Sequence, residues 1–93
     1  MNKLNWSSRF IKSVKKVIKR RPDLLSKIEI TLQKLERDYF EPSLYSHKLK
    51  GEFKGLWACS VEYDYRIIFD IIKDDNNNIE VLLHTIGTHD EVY

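Results

Sequence analysis

The spacing of apolar residues changes once along this chain, and that change limits the folds open to it. Up to about residue 40 the apolar residues recur every three or four positions, which indicates amphipathic helices. From residue 47 they alternate with polar residues, as in "LWACSVEY", which indicates β-strands. A chain of 93 residues has room for a single core. The sequence therefore predicts one domain, residues 1–93, in which helices precede a sheet.

Two helices are predicted in the first part of the chain. Ser7 or Ser8 is a suitable N-cap for the first helix, which should run to about Arg20. Pro22 suits the first turn of the second helix, where its missing N–H costs nothing. The apolar stripe of this second helix extends through Tyr39. The two helices should form a hairpin.

The strands complete a predicted order of β-α-α-β-β-β. "KLNW" is a short opening strand, and "LWACSVEY", "YRIIFDII" and "IEVLLHTI" are the later ones. This order predicts an α+β fold in which the helical hairpin packs on one face of a small, mostly antiparallel sheet. Alternation assigns the side chains of Trp57, Cys59, Val61, Tyr63, Tyr65, Ile67, Phe69 and Ile71 to the helix-covered face and those of Ala58, Ser60, Glu62 and Arg66 to the open face.

Composition places the chain among ordinary globular proteins. Its content of 42% hydrophobic and 32% charged residues is typical of a soluble domain. No apolar run is long enough to cross a membrane, and no secretory signal opens the sequence, so we expect no membrane partner. A single cysteine, Cys59, fits a reducing compartment. These features together predict a cytoplasmic protein.

The distribution of charge is more informative than its total of +2. Basic residues cluster in "KSVKKVIKRR" and again in "HKLKGEFKG". Such clusters are what a polyanion-binding surface needs, although a basic stretch can equally be the solvated side of a helix. The residues of these clusters predicted to contact a nucleic acid are Lys15, Lys16, Lys19, Arg20, Arg21, Lys48, Lys50 and Lys54.

A cation and two histidines are the candidates for chemistry. Arg66 is embedded in an apolar strand, where it either pairs with Glu62 or Asp70 or holds a phosphate through its two parallel N–H groups. His47 and His89 carry rings that exchange protons near neutral pH. No two histidines have the spacing of a helical zinc site, and there is no Cys-x-x-Cys. We therefore expect neither a metal site nor a cofactor.

Two stretches carry a resemblance to a known family. "HKLKGEFKGLWACSVEYDYRIIFDI" followed by "GTHDEVY" resembles the RelE/ParE superfamily of type II toxin–antitoxin toxins, most closely the RelE and YafQ-like mRNA interferases. The resemblance covers essentially the whole chain. It implies a metal-independent endoribonuclease that enters the ribosomal A site and cleaves mRNA. It also implies neutralisation by a cognate antitoxin, which would bring DNA binding to the complex.

The resemblance also implies roles for five residues. His47 and His89 match family histidines and would act as general base and general acid, in either order. Asp64 matches a family aspartate that would orient a histidine, and Arg66 matches the arginine that grips the scissile phosphate. Tyr93 stands at the terminal aromatic position, where it would stack on a base or assist proton transfer.

Two positions depart from the family pattern. YafQ-like members usually have an aspartate and a histidine, and RelE-like members have lysines, where this chain has Ala58 and Ser60. Cys59 and Ser60 are the nearby groups that would have to compensate. The alternative is a non-catalytic, ParE-like toxin that binds and poisons DNA gyrase, because such a protein needs no RNA-cutting residues.

Overall fold

The computed structural model describes all 93 residues. The α+β class and the helical hairpin are confirmed, and two short elements, β2 and α3, are additions to the predicted order. The strands form one sheet in the order β1-β5-β4-β3-β2. The elements are β1 (Lys3–Trp6), α1 (Ser8–Arg20), α2 (Leu25–Arg37), β2 (His47–Lys48), β3 (Trp57–Ser60), β4 (Tyr65–Lys73), β5 (Ile79–Thr88) and α3 (His89–Val92).

The pairing of β1 with β5 joins distant parts of the sequence. β1 runs parallel to β5, with Lys3 opposite Glu80 and Trp6 opposite Leu83. Every other pair of neighbouring strands is antiparallel. Because both helices lie between β1 and the rest of the sheet in sequence, this edge forms only when residues some eighty positions apart meet.

Helix α1 begins and packs as the sequence predicts. The Ser7 hydroxyl accepts a hydrogen bond from the Phe10 N–H at 3.0 Å, so Ser7 is the N-cap. Phe10, Val14 and Val17 are buried, whereas the lysines of the helix are exposed. None of the helices is long and apolar enough to cross a membrane.

Helix α2 ends earlier than its apolar stripe suggests. It stops at Arg37, because Asp38 is extended and its carboxylate accepts a hydrogen bond from the Phe40 N–H at 2.9 Å. Tyr39 therefore lies outside the helix, although it still packs against the core. A short 3₁₀ turn, Pro22–Leu24, connects the two helices, so Pro22 precedes α2 and does not begin it.

The main core lies between the helices and one face of the sheet. Cys59, Tyr65, Ile67 and Phe69 point into it, as predicted. The opposite face, called here the second face, is not open as predicted. Ala58 and Ile68 are fully buried there beneath Val92 of α3, with Leu49 and Leu56 alongside. The cause is that β4 carries isoleucines on both faces, so apolar side chains need cover on each side.

The strand alternation fails at the connection between β3 and β4. Residues 61–64 form a bend, because Ser60 already pairs with Arg66 and the chain must reverse within four residues. The prediction that Tyr63 points at the helices is wrong, since it is 94% exposed. The prediction that Glu62 points to the open face is also wrong. Its carboxylate pairs with Arg21 at 3.5 Å and Lys27 at 3.3 Å, beside the helices.

Candidate active site

Arg66 lies on the second face, near the start of β4. It stands between Ser60 of β3 and Gly87 of β5 in the sheet. Its Nη1 donates to the Glu62 carbonyl at 2.7 Å, to the Tyr65 carbonyl at 3.1 Å and to the Ser60 hydroxyl at 3.4 Å. All three contacts use one nitrogen, so Nε and Nη2 are available to a ligand.

The charge of Arg66 has no carboxylate partner. The predicted pairing with the Glu62 or Asp70 carboxylate does not occur, because the Glu62 side chain turns toward the helices. The Asp70 carboxylate instead accepts from the N–H of Ile71. Backbone carbonyls therefore fix the position of the guanidinium without neutralising it. This is the arrangement that an anion-binding arginine requires.

His47 is oriented by the backbone two residues before it. Its Nδ1 lies 3.0 Å from the carbonyl oxygen of Tyr45, which can only accept. Nδ1 therefore carries the hydrogen, and Nε2 presents a lone pair. Strand β2 places His47 opposite Ala58, and the ring lines a groove shared with Arg66. The sequence did not reveal the role of Tyr45, because it depends on a backbone φ of +51° at that residue.

The short helix α3 carries His89, and Tyr93 follows it as the C-cap. Thr88 caps α3, and Glu91 bonds back to the Thr88 N–H at 2.9 Å, which is a capping box. Val92 is buried against the second face. The rings of His89 and Tyr93 meet edge to face, with centroids 4.5 Å apart. Their relative position is thus set by local contacts within α3.

Tyr93 brings this helix close to the other candidates. It lines a cavity with His47. Burial raises the pKa of Tyr93, and the nearby charge of Arg66 partly offsets this effect. The phenol therefore stays neutral near pH 7. Four of the five predicted residues, His47, Arg66, His89 and Tyr93, surround the second face where β4 begins and β5 ends.

The side chain of Asp64 does not orient a histidine, which was its predicted role. Its side chain is exposed and makes no hydrogen bond to a histidine. Its backbone carbonyl accepts from the His89 N–H at 2.9 Å, and this bond anchors the start of α3. The orienting contact to a histidine comes from Tyr45 instead.

Cys59 and Ser60, the groups that would have to compensate for the missing ionisable residues, lie on different faces of the sheet. Cys59 points into the main core, where burial raises the pKa of its thiol to about 12. It does not reach the second face and cannot replace a missing ionisable group. Ser60 does reach Arg66, and its hydroxyl also donates to the Glu62 carbonyl at 3.0 Å. Ser60 therefore helps to position the guanidinium.

The predicted RNA-contacting cations divide into two groups. Arg20 is paired with Glu91 at 3.0 Å, and Arg21 is paired with Asp23 at 2.8 Å, so neither is fully free for an anion. Lys48 lies over the Trp57 ring at 5.5 Å. All six lysines are exposed, namely Lys15, Lys16, Lys19, Lys48, Lys50 and Lys54. No three His, Cys, Asp or Glu side chains lie together as a metal-binding group would.

Comparison with known families identifies the fold. Residues 2–93 match the family described as "Bacterial toxin of type II toxin-antitoxin system, YafQ". The chain belongs to the YafQ family of toxins. It is thus a toxin of a type II toxin–antitoxin system, as the sequence motifs indicated. No curated protein sequence is significantly similar to it.

Solved structures agree with this membership. YafQ from Escherichia coli BL21(DE3) is 21% identical, with a TM-score of 0.82 over 100% of this chain and 99% of that one. YafQ in an E. coli DinJ–YafQ complex is 24% identical, with a TM-score of 0.75 over 100% and 99%. A YoeB/ParE toxin from Agrobacterium tumefaciens is 16% identical, with a TM-score of 0.76 over 94% and 98%. At identities of 16 to 24%, the similarity to these structures shows that the fold is shared.

The ion pair between Arg20 and Glu91 should stabilise α3 of this YafQ-family toxin, and this stabilisation should depend on pH. The hydrogen bond from Arg20, followed by that from the Thr88 N–H, lowers the pKa of Glu91 from 4.5 to about 2. A lowered folded-state pKa means that the stabilisation is complete above about pH 4.5 and is lost as the pH falls toward 2. We expect residues 89–93 to lose order in that window, measured by ¹H–¹⁵N chemical shifts.

Glu91→Gln isolates the charge in this prediction. Glutamine keeps an acceptor for the Thr88 N–H but loses the ion pair with Arg20, so α3 should be looser at pH 7 and nearly indifferent to acid. Asp75→Asn is the matched control, because the Asp75 carboxylate is exposed in the turn between β4 and β5, away from α3. Identical acid titrations of α3 in wild type and Glu91→Gln would contradict the assignment.

Proposed function

We propose that this toxin is a ribosome-dependent endoribonuclease that cleaves mRNA in the A site. One observation carries the proposal. The unneutralised guanidinium of Arg66 lines the same groove as His47, whose Nε2 has a free lone pair. A phosphate held by Arg66 would place the neighbouring ribose 2′-hydroxyl beside a base able to accept its proton.

The RNA supplies its own nucleophile in this reaction. His47 Nε2 takes the proton of the 2′-hydroxyl, and the 2′-oxygen forms a bond to phosphorus. The bond from phosphorus to the 5′-oxygen breaks, and His89 gives its proton to that oxygen. The products are a 2′,3′-cyclic phosphate and a 5′-hydroxyl. We assign His47 as the base because its Nδ1 hydrogen is committed to the Tyr45 carbonyl.

Arg66 has the largest electrostatic role in this mechanism. Charge develops on the non-bridging oxygens in the pentavalent transition state, and fixed donors aimed at them lower the barrier. The backbone carbonyls that hold Nη1 provide this preorganisation. Tyr93 stacks on a base as a neutral phenol, since burial raises its pKa. Asp64 contributes through its carbonyl, which anchors His89.

The ribosome would supply the remaining contacts. Exposed lysines on α1 and in residues 48–54 present positive charge to ribosomal RNA, and binding of this kind weakens steeply with salt. A domain of 93 residues fits a space that normally admits part of a tRNA. We therefore expect cytoplasmic action and little cleavage of free RNA.

A cognate antitoxin is the proposed regulator. The E. coli YafQ structure with DinJ offers the precedent for such a complex. The exposed apolar side chains of Leu25 and Phe40, which are 44% and 54% accessible, offer contacts for an antitoxin segment. The antitoxin would neutralise the toxin and carry the DNA-binding part of the complex.

A reconstituted translation system tests the proposed function. Purified toxin should produce breaks at codon positions on a toeprint, and His89→Ala and Arg66→Ala should not. Arg37→Ala is the matched control, because this arginine is exposed at the end of α2, away from the second face. Intact message together with gyrase-dependent DNA breaks in a plasmid supercoiling assay would overturn the proposal in favour of a ParE-like gyrase poison.

Gly87 gives a prediction about the position of α3. A Cβ there would lie 3.0 Å from Val92 Cγ1 and 3.2 Å from Glu91 Cβ, so Gly87→Ala should push α3 and its two catalytic rings away from Arg66. A misplacement of about 1 Å can cost about 10²-fold in rate. The neighbours of Gly87 need to move by only a few tenths of an ångström, so we expect a loss of about 3- to 10-fold in single-turnover cleavage.

The double variant Gly87→Ala with Val92→Ala removes the clashing methyl group. Its loss of activity should therefore be smaller than the product of the two single losses. A Gly87→Ala protein that cleaves at the wild-type rate, or single effects that simply multiply, would show that α3 does not bring His89 and Tyr93 to the reaction.

A further inference from the structure

A groove continues from the candidate active site around the edge of the sheet to α2. It exists because β2 is two residues long and pairs only with Trp57 and Ala58, so the edge of β3 beyond them is uncovered. The groove has a volume of about 640 Å³. Arg66 and His47 of the candidate active site line the groove together with Lys27 and Lys34 of α2.

The groove carries uncompensated positive charge. Its lining includes Lys27, Lys34 and Arg66 against one acid, Glu62, which gives a net charge of three minus one, or +2. Glu62 is already paired with Lys27 at 3.3 Å. Lys34 donates to the Ser43 hydroxyl at 2.6 Å, and that hydroxyl in turn donates to the Glu41 carboxylate. Lys34 and Arg66 therefore line one groove, and neither forms a direct ion pair with a carboxylate.

Two exposed tyrosines also line this groove. Tyr63 is 94% and Tyr45 75% accessible, although rings of this size usually bury most of their surface. Tyr45 has a φ of +51°, a left-handed conformation that disfavours residues other than glycine and asparagine. The left-handed backbone of Tyr45 ends the 3₁₀ turn Pro42–Leu44 and directs its carbonyl at His47. Neither contact involves the exposed ring, which a stacking ligand would cover.

We propose that this groove binds the single-stranded RNA that flanks the cleaved linkage, with phosphates held by Arg66 and Lys34 and bases stacked on Tyr63 and Tyr45. Cations combined with accessible aromatic rings are the usual means of binding a single strand. The groove also opens directly into the site, so RNA entering one can continue along the other. This inference rests on the proposed function and adds a binding subsite to it.

An acidic peptide is the competing occupant, since it would meet the same two cations. The observations favour RNA because both exposed rings offer π-faces to bases, and because the groove is continuous with the phosphate-binding arginine. Competition between RNA and a peptide therefore belongs in the test.

The test measures binding of a fluorescein-labelled hexaribonucleotide whose 2′-hydroxyls are methylated, so that it cannot be cleaved. Loss of one stacking ring in Tyr63→Ala should weaken binding by about 5- to 150-fold, whereas Tyr63→Phe should bind nearly as well as wild type. Lys34→Gln should weaken binding and reduce the slope of log K against log salt by about 0.7. Lys73→Gln, at the far end of β4, is its control and should change neither.

Tyr45→Gly separates stacking from stability. Glycine accepts a φ of +51° without strain and keeps the carbonyl that orients His47, so the melting temperature should not fall. The affinity for the hexanucleotide should nevertheless drop, by about as much as for Tyr63→Ala. A loss of affinity in a protein at least as stable as wild type has no structural explanation other than a lost contact.

The outcomes separate the inference from the proposed function. Loss of affinity in Tyr63→Ala and Lys34→Gln supports the RNA subsite, even if wild-type toxin fails to cut mRNA on ribosomes. Wild-type affinity in these variants overturns the inference, even if mRNA is cut. Absence of hexanucleotide binding at low salt also overturns it, as does tighter binding of a poly-glutamate peptide that displaces the RNA.

Discussion

Replacing Arg66 with alanine should reduce the rate of mRNA cleavage on ribosomes by about 10²- to 10³-fold, the usual cost of removing a preorganised transition-state donor. The reason is the geometry of its anchoring. Nη1 is held by backbone carbonyls, which fix the guanidinium but leave its positive charge unneutralised. Single-turnover cleavage of ribosome-bound message measures the chemical step directly.

Arg66→Lys distinguishes charge from geometry in this experiment. Lysine retains the positive charge but loses the planar fork, so its rate should fall between wild type and Arg66→Ala. Arg66 also donates a hydrogen bond to the Glu62 carbonyl and so stabilises the bend at residues 61–64. The melting temperature of each variant must therefore be measured together with its cleavage rate. Arg37→Ala is the matched surface control and should cleave normally. A fully folded Arg66→Ala protein that cleaves at the control rate would show that Arg66 does not stabilise the transition state.

Replacing His47 with alanine should reduce cleavage by about 10²- to 10⁴-fold, the range for loss of a general base. The Nδ1 hydrogen of His47 is directed at the Tyr45 carbonyl, so only Nε2 is free to accept the 2′-hydroxyl proton. The variant should also lose the rise of rate with pH that a deprotonated base produces. The measurement is the single-turnover rate between pH 5 and 9.

Chemical rescue gives this prediction a specific control. His47 is exposed, so the space left by alanine is open to added imidazole, which should restore part of the rate. Imidazole should not help Arg66→Ala, because that variant lacks a charge and not a base. A His47→Ala protein with a normal pH profile, or equal rescue of both variants, would assign the base to another group.

The helical part of the fold was predictable because its determinants are local. The spacing of Phe10, Val14 and Val17 defines the buried side of α1, and Ser7 caps the helix three residues earlier. Four of the five strands were also predictable, and the alternation of β3 and β4 is visible in the sequence. Local patterns of this kind depend only on the chain within one or two turns.

The errors lie where distant contacts decide the structure. Tyr63 and Glu62 continue the alternation in sequence, but the reversal between Ser60 and Tyr65 redirects both. Strand β2 is too short to show any periodicity. The capping box of α3, by contrast, was readable from "THDE", in which Thr88 precedes Glu91 by three residues.

The sequence identified candidate residues for the site but not the contacts that they make. His47, Arg66, His89 and Tyr93 do surround one end of the second face. The partners of Arg66 and His47 are backbone carbonyls, which any residue type supplies, so the sequence carries no sign of them. For the same reason the contribution of Asp64 through its carbonyl was not foreseen.

The parallel pairing of β1 with β5 has a consequence for the newly made polypeptide. Strand β1 is synthesised early, yet its only sheet partner comes from residues 79–88. Contacts so far apart in sequence form late, because a long loop must close before they are gained. A growing chain therefore has no complete sheet, and no catalytic surface, until β5 has left the ribosome. Under the proposed function, this delay protects the message that encodes the toxin while elongation is still in progress.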